Sequence, residues 1–237
     1  MAANRNAKKV SMSYAGIVRR EWRRTARAED LGLRPGEYLA LKRLSSPAKI
    51  QAFLNAVPIN HEIGGETVLS VREVLRQRRA HCIEGAMVAA AALWANGDPP
   101  LLVHLDCDLS DYPHVIAVFR RGGAWGAISK TNGAPLRYRD PIYRTLRELA
   151  LSYFHEYANR RGHKTLRSYS SPFDMRRIDP REWVTAEKSC WKTHDRLVEL
   201  RHFPLISRQQ ERLLTKRDSF ERKAGKMVEY PRPPKKD

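Results

Sequence analysis

The run Cys82–Asn96, CIEGAMVAAAALWAN, constrains the fold of this chain more than any other stretch. Ile83, Met87, Ala90 and Trp94 recur at helical spacing on one stripe, and the remaining faces are mostly alanine. A surface helix keeps a broad polar face. This run does not, and its small side chains let neighbouring backbones approach from nearly every side, so it belongs at the centre of a domain. Gly97 supplies a stop just past its end, and Pro99 and Pro100 cannot continue it.

The flanking text fixes what surrounds that helix. LLVHLDC, HVIAVFR and AWGAIS read as three strands, the last two joined tightly through Arg121, Gly122 and Gly123 into an antiparallel hairpin. If the turn has two residues at Gly122 and Gly123, residues facing one another sum to 245. That register pairs His114 with Thr131 and sets Ser129 diagonally on the same face; a looser turn brings Asn132 opposite instead. Upstream, Ser46 caps and Pro47 opens a short helix carrying Ile50, Phe53 and Leu54. Ser70 with Glu73 forms a capping box for another, which leads into Cys82. Downstream, Asp140 and Pro141 are expected to open a long helix whose buried face runs through Ile142, Leu146, Leu149, Tyr153 and Tyr157. The remainder reads as helical with irregular breaks, as in WVTAEKSCWKTHDRLVEL and SRQQERLLTKR.

The chemistry centres on Cys82. A thiol at the start of a buried helix has its thiolate favoured by the helix dipole and by unpaired backbone N–H groups, which also make half of an oxyanion hole. Cys107 ends a strand between Asp106 and Asp108, where negative charge raises a thiol pKa, and Cys190 lies in a later helical stretch; both read as structural. A thiol nucleophile needs a base in reach and a third group to orient that base. His114, opening the second strand, is the expected base. His81 is expected to project away from Cys82, and His104 to lie within the preceding strand. Asn132 ranks ahead of Ser129 as orienter of the imidazole, with Asp111 as a further acidic option. A zinc site at His104 and Cys107 is disfavoured, because strand alternation aims the two at opposite faces.

Cysteine on a helix, histidine on a strand and a hairpin return resemble, in that order, the transglutaminase-like superfamily of the papain-like fold. Residues 69 to 132 carry the likeness: SVREVLRQRRAHCIEGAMVAAAALWANGDPPLLV is similar to the family's stretch from the pre-nucleophile helix to the Gly-x-Pro exit, and HVIAVFRRGGAWGAIS to its His strand, Gly-Trp turn and third strand. The resemblance implies an α+β fold, with a central nucleophile helix packed on an antiparallel sheet. It also implies a cysteine enzyme that forms a Cys82 thioester from an amide or acyl carbonyl, with His114 as base, no cofactor and no metal. The family's acidic orienter lies four residues after the hairpin Trp, and this chain carries Ser129 there. A catalytically degenerate binding module is therefore the alternative, and an effector that modifies another protein is a third class.

Around a core at 45–165, residues 1–44 are expected to form a basic helical extension, 166–222 a helical extension, and 223–237 a basic disordered tail. Lys and Arg total 44 against 26 Asp and Glu, a formal charge of +18, which attracts polyanions. A protein or peptide substrate is expected, with nucleic acid as a further partner through the basic surfaces. Trp22, Trp125, Trp183 and Trp191 would stack on bases if exposed and otherwise close a core. No apolar run reaches the roughly 20 residues of a membrane helix, and no signal-peptide core is visible, so a cytoplasmic location without membrane contact is expected. Three dispersed cysteines fit free thiols in a reducing compartment.

Overall fold

The computed structural model describes residues 24–234. The first half of the chain forms α1 (Ala28–Leu31), α2 (Pro35–Arg43), α3 (Pro47–Ala56), α4 (Val71–Gln77) and α5 (Cys82–Ala95), then β1 (Leu101–Cys107), β2 (His114–Arg121) and β3 (Ala124–Ile128). The second half adds β4 (Arg139–Tyr143), α6 (Leu146–Leu151), β5 (Leu166–Ser170), β6 (Phe173–Asp174), α7 (Trp191–Val198), β7 (His202–Pro204), α8 (Arg208–Arg212) and α9 (Ser219–Gly225). All seven strands join one antiparallel sheet in the order β4-β3-β2-β1-β5-β7, with β6 paired to β1, so the fold is mixed α+β. Among the described residues no helix is long and apolar enough to cross a membrane.

Helix α5 is the hub. Every residue from Ile83 to Leu93 is buried, because alanine both favours helix and lets flanking elements close in. Helices α2, α3 and α4 and strands β1 and β2 all pack against it. The closest approach is at Gly85, where a Cβ would stand 2.4 Å from that of Lys130. Its end follows the sequence, with Gly97 at φ +93°. In the hairpin, Gly122 and Gly123 both have positive φ, the two-residue turn that matches strand twist. The register runs from Arg121 opposite Ala124 to Ala117 opposite Ile128, each pair summing to 245 as expected. The sheet separates two apolar cores. Leu102, Val115, Ala117 and Phe119 join α5 on one face. Leu101, Val103, Ile116 and Val118 meet Leu149, Tyr153 and Tyr157 on the other.

Several expectations need correction. The long helix from Asp140 is instead β4 followed by the short α6, which Thr145 caps, and Ile142 is 70% exposed. Pro141 has no N–H to give a ladder, and β4, as the sheet edge, is where that omission is tolerated. Leu149, Tyr153 and Tyr157 are buried as expected, but past Leu151 the chain reaches them through turns. Residues 166–222 are not a helical extension: β5 pairs directly with β1 and β7 with β5, so the sheet continues past residue 165. The 223–237 segment is not disordered over its described part. Asp218 caps α9, Val228 bridges Gly133, and the Tyr230 hydroxyl donates to the Asn55 carbonyl at 2.5 Å. At the other end, Ala26, Leu31, Leu33 and Leu41 join the α5 core; the Arg-rich start up to residue 23, Trp22 included, lies outside the described residues. Ser70 does cap α4, but the Glu73 carboxylate binds Arg76 and Gln77 instead of returning to close the box.

Candidate active site

Cys82 is the first residue of α5, and the end of that helix is held by a buried carboxylate. Glu84, fully buried, accepts from the N–H groups of His81 and Leu69, both at 2.8 Å, from the Thr67 hydroxyl at 3.0 Å and from the Asn60 amide at 3.1 Å. Four donors offset the cost of burying the group. They also tie the loop 60–69 to the helix start, which fixes where the thiol points.

His114, which acts on the thiol, meets Ser129. His114 Nε2 lies 2.8 Å from Ser129 Oγ, and both residues are buried. The Gln51 side chain grips the Ser129 backbone from both sides, accepting from its N–H at 2.9 Å and donating to its carbonyl at 2.8 Å. Ser129 has one hydroxyl proton, and it goes to the Leu136 carbonyl at 2.5 Å. Its oxygen can therefore only accept from His114, which places a proton on Nε2 and leaves Nδ1 for the reacting groups. Burial pushes the Cys82 thiol up, yet its hydrogen bonds first to His114 and then to His81, with their charges, hold it well below the ordinary thiol value of 9.0.

Of the three candidate orienters, Ser129 is the one at the imidazole. Asn132, ranked first, lies elsewhere: its amide donates to the Tyr230 carbonyl and accepts from the Tyr230 N–H, both at 2.9 Å. Strand β3 ends at Ile128, so beyond Ser129 the ladder register no longer governs where side chains fall. Asp111 accepts from the Thr165 hydroxyl at 2.6 Å and serves its own loop.

The expectation that His81 projects away from Cys82 is corrected. His81 Nδ1 lies 3.9 Å from Cys82 Sγ. His81 is the N-cap, with extended backbone (φ −99°, ψ −168°), so the angular offset between successive helical residues does not apply to it. Its Nε2 is 2.7 Å from the Thr67 carbonyl, 3.3 Å from Glu84 Oε1 and 3.6 Å from Glu62 Oε1. Burial pulls this imidazole down, but its bond to Cys82, the charges of Cys82 and Glu84, and the Thr67 carbonyl raise it to about 9. The sequence signal was there: in HCIE, the glutamate stands three residues after the cap.

The other thiols are held protonated. Cys107 is pushed up to about 12 by burial and by Asp111 and Asp106, and Cys190 to about 12 by burial and Glu84. His104 turns to His202, Nδ1 to Nε2 at 2.8 Å, with His202 Nδ1 donating to the Leu200 carbonyl; burial and His202 lower His104 to about 4. Trp183 is buried in the core. Trp125 carries the Arg120 guanidinium 5.1 Å from its ring centroid, and Trp191 is partly exposed beside His194. No protein-family model matches this chain, and no curated protein matches it.

Proposed function

We propose that this chain is a transglutaminase-like cysteine enzyme of papain-like fold, acting on an amide or acyl carbonyl of a protein or peptide. The observation that carries the reading is the placement of Cys82 at the first residue of a buried helix, with the His81 imidazole 3.9 Å from its sulfur and a His114 imidazole that Ser129 orients at 2.8 Å; the depressed thiol agrees with that geometry. Cys82 Sγ attacks the carbonyl carbon, the C–S bond forms, and the carbonyl electron pair moves onto oxygen. The Cys82 backbone N–H, at the first helical position and so without an intrahelical acceptor, donates to that oxyanion. When the C–N bond breaks, the leaving amine takes the proton from His114 Nδ1 and a thioester remains. Water or a second amine then gives its proton to His114 as it attacks, and Sγ departs as thiolate.

The orienter is neutral. Ser129 fixes ring and tautomer but adds no charge, so it stabilises the His114 imidazolium less than a carboxylate would. Iodoacetamide labelling across pH, read by mass spectrometry at the Cys82 peptide, tests the reading. Cys82 is expected to alkylate at a pH well below Cys107 and Cys190, and His114→Ala to move its titration upward. A Cys82 titration at the ordinary thiol value, indifferent to His114→Ala, would sink it.

A further inference from the structure

We propose that His81 is a second catalytic imidazole, whose protonated ring 3.9 Å from Cys82 Sγ holds the nucleophile as a thiolate, and that buried Glu84 positions it. Glu84 would thus supply, from the helix-cap side, the carboxylate that the hairpin side lacks. The inference rests on the cysteine-enzyme reading and deepens it.

The geometry assigns the ring's protons. A carbonyl can only accept, so the 2.7 Å contact with Thr67 puts a proton on His81 Nε2. Nδ1 then faces the sulfur in one of two ways: it accepts from a thiol, or it donates, as part of an imidazolium, to a thiolate. Two carboxylates beside Nε2, Glu84 at 3.3 Å and Glu62 at 3.6 Å, favour the charged ring and therefore the second arrangement. Glu84 cannot swing away, because Leu69, Thr67, Asn60 and the His81 N–H hold it in place. The titratable groups acting on this cluster are Glu62, Glu84 and Cys82 on His81, His114 and Tyr157 near the thiol, and Cys190 near Glu84.

Labour divides accordingly. On ionisation the Cys82 proton resides on His81 Nδ1 and stays there through the cycle. His114 enters the cycle charged, its Nδ1 proton taken up from solvent, and carries the moving proton, giving it to the leaving amine and regaining it from water. When the C–S bond forms, the negative charge passes to the carbonyl oxygen; when it breaks, the charge returns to sulfur beside a ring that is still positive. One solvent proton charges His114 before the first turnover, and no oxidant is needed.

The test compares iodoacetamide titrations of Cys82 in the full chain for wild type, His81→Asn, Glu62→Gln and His114→Ala. Asparagine is itself a favoured N-cap, so His81→Asn preserves the helix start. The expected result is an upward move of the Cys82 midpoint by about one pH unit or more in His81→Asn, a tenfold loss of thiolate at a fixed pH below the midpoint, and a smaller move in Glu62→Gln. A midpoint unmoved by His81→Asn but moved by His114→Ala overturns this inference and leaves the enzyme reading standing. Indifference to both overturns the two together. Should His81→Asn fail to fold, the ring-proton NMR titration of His81 decides the matter. It is expected to fall to lower pH on Cys82→Ser, and a titration that stays in place overturns the proposal.

Discussion

The two sides of Cys82 handle charge in opposite ways. On the helix-cap side, His81 lies against Glu84 and Glu62, and the buried carboxylate is met by donors from four residues. On the hairpin side, His114 meets a neutral hydroxyl whose own proton is spent on the Leu136 carbonyl. The one buried charge there is Lys130, next in sequence to Ser129. Its ammonium donates to the Leu54 and Val57 carbonyls at the end of α3 and stands 5.1 Å from the Tyr230 ring centroid, with no carboxylate hydrogen-bonded to it among the described residues. In the proposed site, the carboxylate and the group that orients the base therefore need not share a strand. The chain places its carboxylate in the helix cap, where it organises backbone and imidazole together, and leaves the hairpin to fix geometry alone.

The largest effect expected from this contrast is at Glu84. Glu84→Ala strands the Leu69 and His81 N–H groups, the Asn60 amide and the Thr67 hydroxyl in a buried site. Several buried donors without an acceptor cost on the order of 3–5 kcal/mol in total. Urea unfolding should record that loss, with α5 less protected from hydrogen exchange at its start. A loss below about 1 kcal/mol would mean that water replaces the carboxylate and that the cap side is not the rigid one.

Next comes Ser129. Ser129→Ala removes the partner of His114 Nε2 and leaves the Leu136 carbonyl without its donor, at a cost of about 1–3 kcal/mol. Alkylation of Cys82 at neutral pH should slow, because the ring loses its fixed tautomer. The titration midpoint should move less than in His81→Asn, since no charge has been taken away. Equal moves in the two variants would break the comparison and give the hairpin side an equal electrostatic part.

How much of this was legible beforehand follows from where local and global signals agree. Helix α5, its Gly97 stop and the strands β1, β2 and β3 could be read directly: hydrophobic period, turn chemistry and length all pointed one way, and two glycines of positive φ pinned the register. Strands β5 and β7 could not be. Residues Leu166–Ser170 and His202–Pro204 are short and partly polar, and they become strands only because β1 offers a ladder to β5 and β5 offers one to β7. β4 hid behind Asp140 and Pro141, a pair that starts helices as readily as it marks an edge strand. The contact of Ser129 with His114 follows from the hairpin topology. His81 was missed because a cap residue obeys neither helix nor strand periodicity, and Asn132 was over-ranked because the loop after Ile128 turns it toward a C-terminal segment invisible to local pattern.

The smallest effect isolates the buried cation. Burial lowers Lys130 to about 8, with Glu229 opposing and Arg137 assisting, against an ordinary lysine value of 10.5. Between those two values the unfolded chain keeps a proton that the folded chain has released. More protons on the unfolded state means stability that rises with pH across this window. The neutral amine still has two N–H bonds, enough for the carbonyls of Leu54 and Val57, so releasing the proton removes the cost of a buried charge without opening the cap on α3. Wild-type protein should therefore require more urea to unfold near pH 10 than near pH 8, relative to Lys130→Met, which lacks the titrating group. If both proteins follow the same pH curve, Lys130 titrates as an ordinary lysine, and the hairpin side stores no uncompensated charge to set against Glu84.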